Sequence, residues 1–181
     1  MKCLLLSDIH GDIDNLKKVL EYYNEYNCEK ILIMGDELYH GPRKGIPENY
    51  DPVAVADLLN EYKDVITACR GNCDAEVDQM LLQYPMMEDY ELVEVNGHRC
   101  LLTHGHLFSE DRLPRLPFEI YLSGHTHVPV LEKRDNSIIY CNPGSVTFPK
   151  NEVGSSFGIM DEKGIYLYTI EGTKFKELLF E

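Results

Sequence analysis

The spacing of apolar segments changes at Asp74, and no other feature of the 181-residue chain limits its fold so closely. Before that point the pattern alternates. KCLLLSD reads as a buried strand, and Asp12 or Asp14 is placed to cap a helix running to about Tyr26, since Leu16, Val19, Leu20 and Tyr23 share one face. KILIMGD is a second buried strand. Strand, helix and strand in that order form a βαβ unit, whose strands run parallel and are covered on both faces. Residues 40–52, with three prolines and two glycines, form a long loop. Residues 53–62 suit a helix with Val55, Leu58 and Leu59 inward, and DVITACRGN is a third strand with its turn.

After Asp74 strands crowd together. Residues 76–83 suit a short helix, and MEDYELVEV and RCLLTHG flank Asn96-Gly97, the strongest short hairpin signal in the chain. FEIYLSG, PVLEKR, SIIYCNPGS, SFGIMDE, GIYLYTIEG and KFKELLF follow as strands separated by turns. Without a repeat or linker to mark a boundary, an alternating half joined to a strand-rich half reads as one domain over residues 1–181. Its class is α/β: two packed sheets with helices outside.

Composition narrows the partners. With 31 acidic against 17 basic residues the formal charge is -14, so a nucleic-acid polymer or an anionic membrane is disfavoured unless bound cations reverse the sign locally. No apolar run reaches membrane-spanning length, and the opening MKCLLL is cut short by Asp8, His10 and Asp12, which points to the cytoplasm. The six cysteines are scattered without a CxxC pair and read as small core residues, Cys73 excepted. GIYLYTI is a candidate self-association strand, so a homo-oligomer is an expectation.

Polar side chains of ligand type gather where strands end. Asp8 and His10 follow KCLLL, Asp36 follows ILIMG, Asn72 follows VITACRG, His104 follows CLLT, and His125 and His127 follow YLSG. The last two, spaced by two in an extended segment, would point the same way. Taken singly, Asp8 and Asp12 fit a helix cap, Asp36 a turn and Asn72 a left-handed turn residue. Together they resist that reading, because the carboxyl ends of strands are where open α/β sheets build sites. Seven nitrogen and oxygen donors exceed the needs of one tetrahedral ion, whereas two ions sharing a carboxylate would use them all. A structural zinc site would recruit cysteine pairs, and a Ser-His-Asp hydrolase would show a nucleophile elbow; the chain has neither.

The motifs DIH (from Asp8), GDELYHGPR (from Gly35), RGNCD (from Arg70), LTHGH (from Leu102) and GHTH (from Gly124) resemble, in order, the set that marks the calcineurin-like metallophosphoesterases. GNCDAEVDQMLL, HGPR and NPGSV bring the chain nearer the small bacterial YfcE-type phosphodiesterases. The resemblance implies a four-layer αββα sandwich, two packed mixed sheets flanked by helices. It implies that Asp8, His10 and His127 hold one divalent ion, that Asn72, His104 and His125 hold the other, and that Asp36 bridges them. Manganese is the expected metal, with iron or zinc as alternatives. Two such ions acidify a shared water, so the implied reaction is hydrolysis of a small phosphodiester by the resulting hydroxide. Four added positive charges also admit an anion to an acidic protein.

One departure bears on mechanism. Family members that cleave many esters read GNHD or GNHE, with the histidine proposed to protonate the leaving group, and this chain has Cys73 there. A thiol is a poor acid for that task, so aryl phosphodiesters are the expected substrates, with His106 or a water held by an ion as substitute acids. Arg43, Arg70 and His40 are candidates to approach phosphate oxygens, each with a surface salt bridge as its plain alternative. Asn142 and Ser145 either support the ligands or form a turn, and His98 reads as a surface residue outside the site. A phosphomonoesterase or nuclease with the same ions is a rival reading; so is a scaffold, since a retromer subunit of similar length shares the implied fold. A scaffold has no need of all seven donors, and a nuclease would be expected to carry a basic stripe.

Overall fold

The computed structural model describes residues 1–43 and 45–180. Asp12 caps the first helix, its carboxylate accepting from the Asn15 amide at 3.0 Å, and Asp51 caps the second by accepting from the Ala54 amide at 2.9 Å. Between and after them the order is β1 (Cys3–Leu6), α1 (Ile13–Glu25), β2 (Lys30–Ile33), α2 (Pro52–Asn60), β3 (Ile66–Ala68), α3 (Glu76–Gln79), β4 (Tyr90–Val95), β5 (His98–Thr103), β6 (Ile120–Leu122), β7 (Val130–Lys133), β8 (Ile139–Asn142), β9 (Ser156–Met160), β10 (Gly164–Thr169) and β11 (Lys174–Leu179). Asn96 and Gly97 both take positive φ, 52° and 85°, as a two-residue turn between β4 and β5 requires.

Two mixed sheets result, ordered β11-β10-β9-β1-β2-β3 and β4-β5-β6-β8-β7. β1, β2 and β3 are parallel in the first, and β5, β6 and β8 in the second. Period-2 alternation decides which core each residue joins. Leu4 and Leu6 face Leu16, Val19, Leu20, Val55 and Leu59 of α1 and α2. Cys3 and Leu5 face the second sheet, joining Cys100, Leu102, Ile120, Leu122 and Cys141 in the layer between the sheets. All six thiols are free, and five of them are buried.

The outer face of the second sheet departs from the expected helix layer. Leu101, Tyr121 and Tyr140 are covered by Leu113 and Phe118 from a segment whose only helical piece is a 3-10 turn at Glu110–Arg112. Pro114 and Pro117 account for this, since each removes an amide donor and excludes the preceding residue from helical backbone. The fourth layer of the sandwich is therefore thin. The helix expected at 76–83 stops at Gln79, whose amide nitrogen donates to the carbonyls of Leu82 and Tyr84 and whose oxygen accepts from the Met86 amide. That side chain turns the chain so that Leu82 and Tyr84 are buried.

GIYLYTI is not a free surface. β10 lies between β9 and β11, with Ile165 and Leu167 fully buried and Tyr166 and Tyr168 packed against the helix-side core. Alternation of tyrosine with aliphatics there reflects one fully buried face and one half-buried face. No helix among the described residues is long and apolar enough to cross a membrane.

Candidate metal centre

The parallel strands all deliver their carboxyl ends to one edge, where the chain must turn sharply. Five of the seven expected ligands adopt left-handed backbone: Asp8 (φ 56°), His10 (48°), Asp36 (57°), His125 (66°) and His127 (61°). The GHTH segment is thus not extended, as the spacing of its histidines had implied. Each such residue costs on the order of 1–2 kcal/mol. Backbone bonds hold the turns: the amides of Asp8, His10 and Gly11 donate to the carbonyls of Gly35, Asp36 and Glu37 at 2.9–3.1 Å.

Within this edge two donor sets form. Asp8 Oδ2 accepts from Ser7 Oγ (2.6 Å) and from the His125 amide (3.0 Å), which leaves Oδ1 directed at His127 Nε2 (3.0 Å) and His10 Nε2 (3.6 Å). In the second set Asn72 Oδ1 lies 3.0 Å from His104 Nε2 and 2.7 Å from His125 Nδ1. Asp36 Oδ2 faces both, 3.7 Å from His10 Nε2 and 3.3 Å from His104 Nε2. The assignments implied by the motifs are thus brought together in space, three here and three there, with Asp36 between.

Three of the four imidazoles are aimed by main chain. The Nδ1–H groups of His10, His104 and His127 donate to the carbonyls of Tyr39 (2.8 Å), Met34 (2.6 Å) and Phe148 (2.6 Å). That fixes the tautomer and turns each Nε2 lone pair inward, the usual orientation of a metal-binding histidine. Inward lone pairs then meet carboxylate and amide oxygens, an arrangement that only a proton or a cation can satisfy. Asp8 Oδ1 and His10 Nε2, both buried, have no hydrogen-bond partner among the described residues. The donor set of oxygens and neutral imidazoles fits divalent metal ions.

The pKa shifts express the same demand. Burial opposes charge on His104, but Asp36 and Asp8 outweigh it and push the group up to about 9. His10 is raised too, Asp8 overcoming its burial. Burial also opposes charge on Asp8, but His10 and His127 hold its carboxyl well below the usual range, and His104 lowers that of Asp36 against its burial. A folded pKa above the ordinary 6.5 for His104 gives stability that is fully present below 6.5 and lost as pH rises through about 9. A divalent ion takes the place of that proton. The melting temperature of chelated protein should therefore fall between pH 6.5 and 9, while the gain on adding manganese should grow, by about tenfold in apparent affinity per pH unit for each proton displaced. A gain that does not vary with pH in thermal melts would contradict this.

A cavity of about 560 Å³ opens over the centre, lined by His10, Asp36, Asn72, His125 and His127 together with His40, Arg43, Cys73, Thr126 and Lys150. Cys73 donates its amide to Asp36 Oδ1 (2.8 Å), and its thiol, pushed up to about 12 by burial and by the Asp36 charge, keeps its proton. His106 stands beside His104 and His125, with ring centres 5.3 and 6.1 Å away. Burial and those two neighbours lower it to about 4, so its ring is uncharged at neutral pH.

Arg70 turns away from the cavity to pair with Asp89 at 2.6 Å, and His98 pairs with Glu119 at 2.9 Å. Asn142 donates to the Gly124 carbonyl (2.7 Å) and Ser145 to the Asp8 carbonyl (2.9 Å), so both brace ligand loops. Sequence reasoning missed Ser7, Thr126, Lys150 and the three carbonyls that aim the histidines. Main-chain acceptors leave no residue-type signal, and Lys150 is placed by the bond from its amide to the His127 carbonyl.

The chain is similar to several known proteins. Over 162 residues the chain is 44% identical to phosphodiesterase YfcE of Escherichia coli strain K12, covering 89% of this chain and 88% of that one. A solved structure of YfcE from E. coli, described as a phosphoesterase, superposes with a TM-score of 0.95 at 39% identity over the whole of both chains. Vacuolar Protein Sorting 29 from Cryptosporidium parvum shares the fold, with a TM-score of 0.71 at 16% identity over 99% of this chain and 98% of that one. A model of the calcineurin-like phosphoesterase superfamily domain matches residues 1–164, a span that contains all seven donors. By that match and by its identity to YfcE, the chain belongs to the calcineurin-like phosphoesterase superfamily.

Proposed function

We propose that the protein is a metal-dependent phosphodiesterase acting on small phosphodiesters. The observation that carries this is the position of Asp36 Oδ2, which faces His10 on one side and His104 on the other. One carboxylate shared between two donor sets is the arrangement a pair of divalent ions needs. Asp8, His10 and His127 would hold one ion, and Asn72, His104 and His125 the other. When bound, two divalent ions supply Lewis acidity, acidifying a water and offsetting charge on the phosphoryl oxygens.

The chain supplies position and charge. Carbonyl anchors keep three imidazoles aimed inward before any ligand arrives, so little reorganisation is needed on binding. Arg43 and Lys150 put positive charge on the wall of the cavity in an otherwise acidic protein, which favours entry of an anion. The cavity suits a small ligand in size. Neither the Cys73 thiol nor the uncharged His106 is a strong acid for a departing alkoxide. Esters with weakly basic leaving groups, such as aryl diesters, are therefore favoured.

Manganese is the metal we propose, since oxygen and imidazole donors suit it and no cysteine pair is present to select zinc. Unpaired thiols favour a reducing compartment, and we place the protein in the cytoplasm. Exhaustive chelation should remove activity, and manganese added alone should restore it. On a leaving-group series of aryl and alkyl phosphomonoesters and diesters, kcat/KM should favour aryl diesters. Activity that survives chelation, or a preference for monoesters, would count against this reading.

A further inference from the structure

We propose that the Asp74 carboxylate is the positioning residue that sets the two halves of the metal centre against each other, and that the ion held by Asn72, His104 and His125 depends on it. This rests on the two-ion reading above. Asp74 is not a ligand. Its Oδ2 accepts from the amides of Asp36 (2.9 Å) and Gly71 (2.6 Å), and its Oδ1 accepts from the amide of Glu37 (3.0 Å). Those three amides belong to two separate loops, one after β2 carrying Asp36 and one after β3 carrying Asn72. A single buried carboxylate therefore ties together the segments that bring a shared ligand and a ligand of the second set.

Glycine lets the loops come close enough for this. A Cβ at Gly71 would lie 2.0 Å from Asp36 Oδ1, and one at Gly35 would lie 2.5 Å from the Gly71 amide nitrogen. Backbone is thus in contact with backbone, and three N–H groups converge where only a full carboxylate offers enough acceptor capacity. The bond from the Cys73 amide to Asp36 Oδ1 then fixes the rotation of that carboxylate, leaving Oδ2 toward His104 and His10.

The first set is anchored differently. The loop with Asp8 and His10 is bound to the β2 loop by the three main-chain bonds from Asp8, His10 and Gly11, and Asp74 takes no part in them. Loss of Asp74 should loosen the β3 loop from the β2 loop while that ladder persists. The consequence is asymmetric. In D74N the amide keeps only one oxygen, so whichever way it turns its NH₂ faces at least one backbone N–H.

The test is a manganese titration of chelated full-length protein by calorimetry, with electron paramagnetic resonance of the loaded samples. Wild type should take two ions and show a spin-coupled pair. D74N should hold the first ion within about threefold of wild type and bind the second about 10–100-fold more weakly, so that at two equivalents the spectrum is still that of an isolated ion. Equal affinity for both ions in D74N, or an equal loss of both, would overturn the proposal. If D74N does not fold, D74E carries the test: its displaced carboxylate should still weaken the second ion by about fivefold or more with the first retained, and loss of both or of neither overturns the proposal. A wild-type protein that takes one ion would instead sink the two-ion reading itself.

Discussion

Replacing Asp36 with asparagine should lower kcat by about 10³-fold or more, because it removes the one charge that both donor sets share; each tenfold corresponds to about 1.4 kcal/mol, and Lewis-acid stabilisation is worth several. The substitution keeps the size of the side chain and leaves an oxygen for the Cys73 amide. Its nitrogen would then turn toward His10 and His104, placing a donor where a cation has to sit. The chelated variant should be less stable than wild type at neutral pH, because, against burial, His104 holds the Asp36 carboxyl below its usual range and Asp36 in turn raises His104, so the pair stabilises the fold. A cooperative melt and an unchanged circular dichroism spectrum, combined with loss of the metal-induced stabilisation, separate a missing bridge from a misfolded chain. If D36N retained manganese-dependent turnover within tenfold of wild type, Asp36 would not be the shared ligand.

Cys73→His should change the chemistry in the opposite direction. The cysteine lies on the cavity wall beside the metal centre, with its amide on Asp36 and its thiol proton retained to about pH 12. An imidazole at the same position titrates near neutrality and is able to donate to a leaving oxygen, a contribution typically worth 10²–10⁴-fold. The gain should be concentrated in alkyl esters, whose leaving groups need the proton, and be small for nitrophenyl esters. A plot of log kcat/KM against leaving-group pKa should therefore flatten, and the variant should acquire a fall in rate above the imidazole pKa. A slope that matches wild type would show that Cys73 only fills space.

Local physics accounts for how much could be read from sequence. Asp12 as a helix cap and Asn96-Gly97 as a hairpin follow from contacts within a few residues, every strand in the second half is marked by local apolar patterning, and all appear. The candidate ligands were legible because each closes an apolar run, and the run itself reports the strand that carries it. What stayed hidden depends on pairing across the chain. Asp74 meets Glu37 and Asp36 at separations of 37 and 38 residues, and the His125 amide reaches Asp8 across 117. GIYLYTI read as a candidate surface because alternation marks one covered face; the sheet order shows both its edges paired, and its tyrosine face packs half-buried against the helix-side core. Arg70 and Arg43 were indistinguishable as sequence, yet Asp89 claims the first and the cavity receives the second.

The left-handed turns at five of the ligands have an evolutionary corollary. At those positions the backbone alone would favour glycine, but Asp8, His10, Asp36 and His127 are buried and bonded, so glycine there would exchange relief of strain for a cavity. Only at His125, which is half-buried, would a lineage released from catalysis relax its turn at small packing cost.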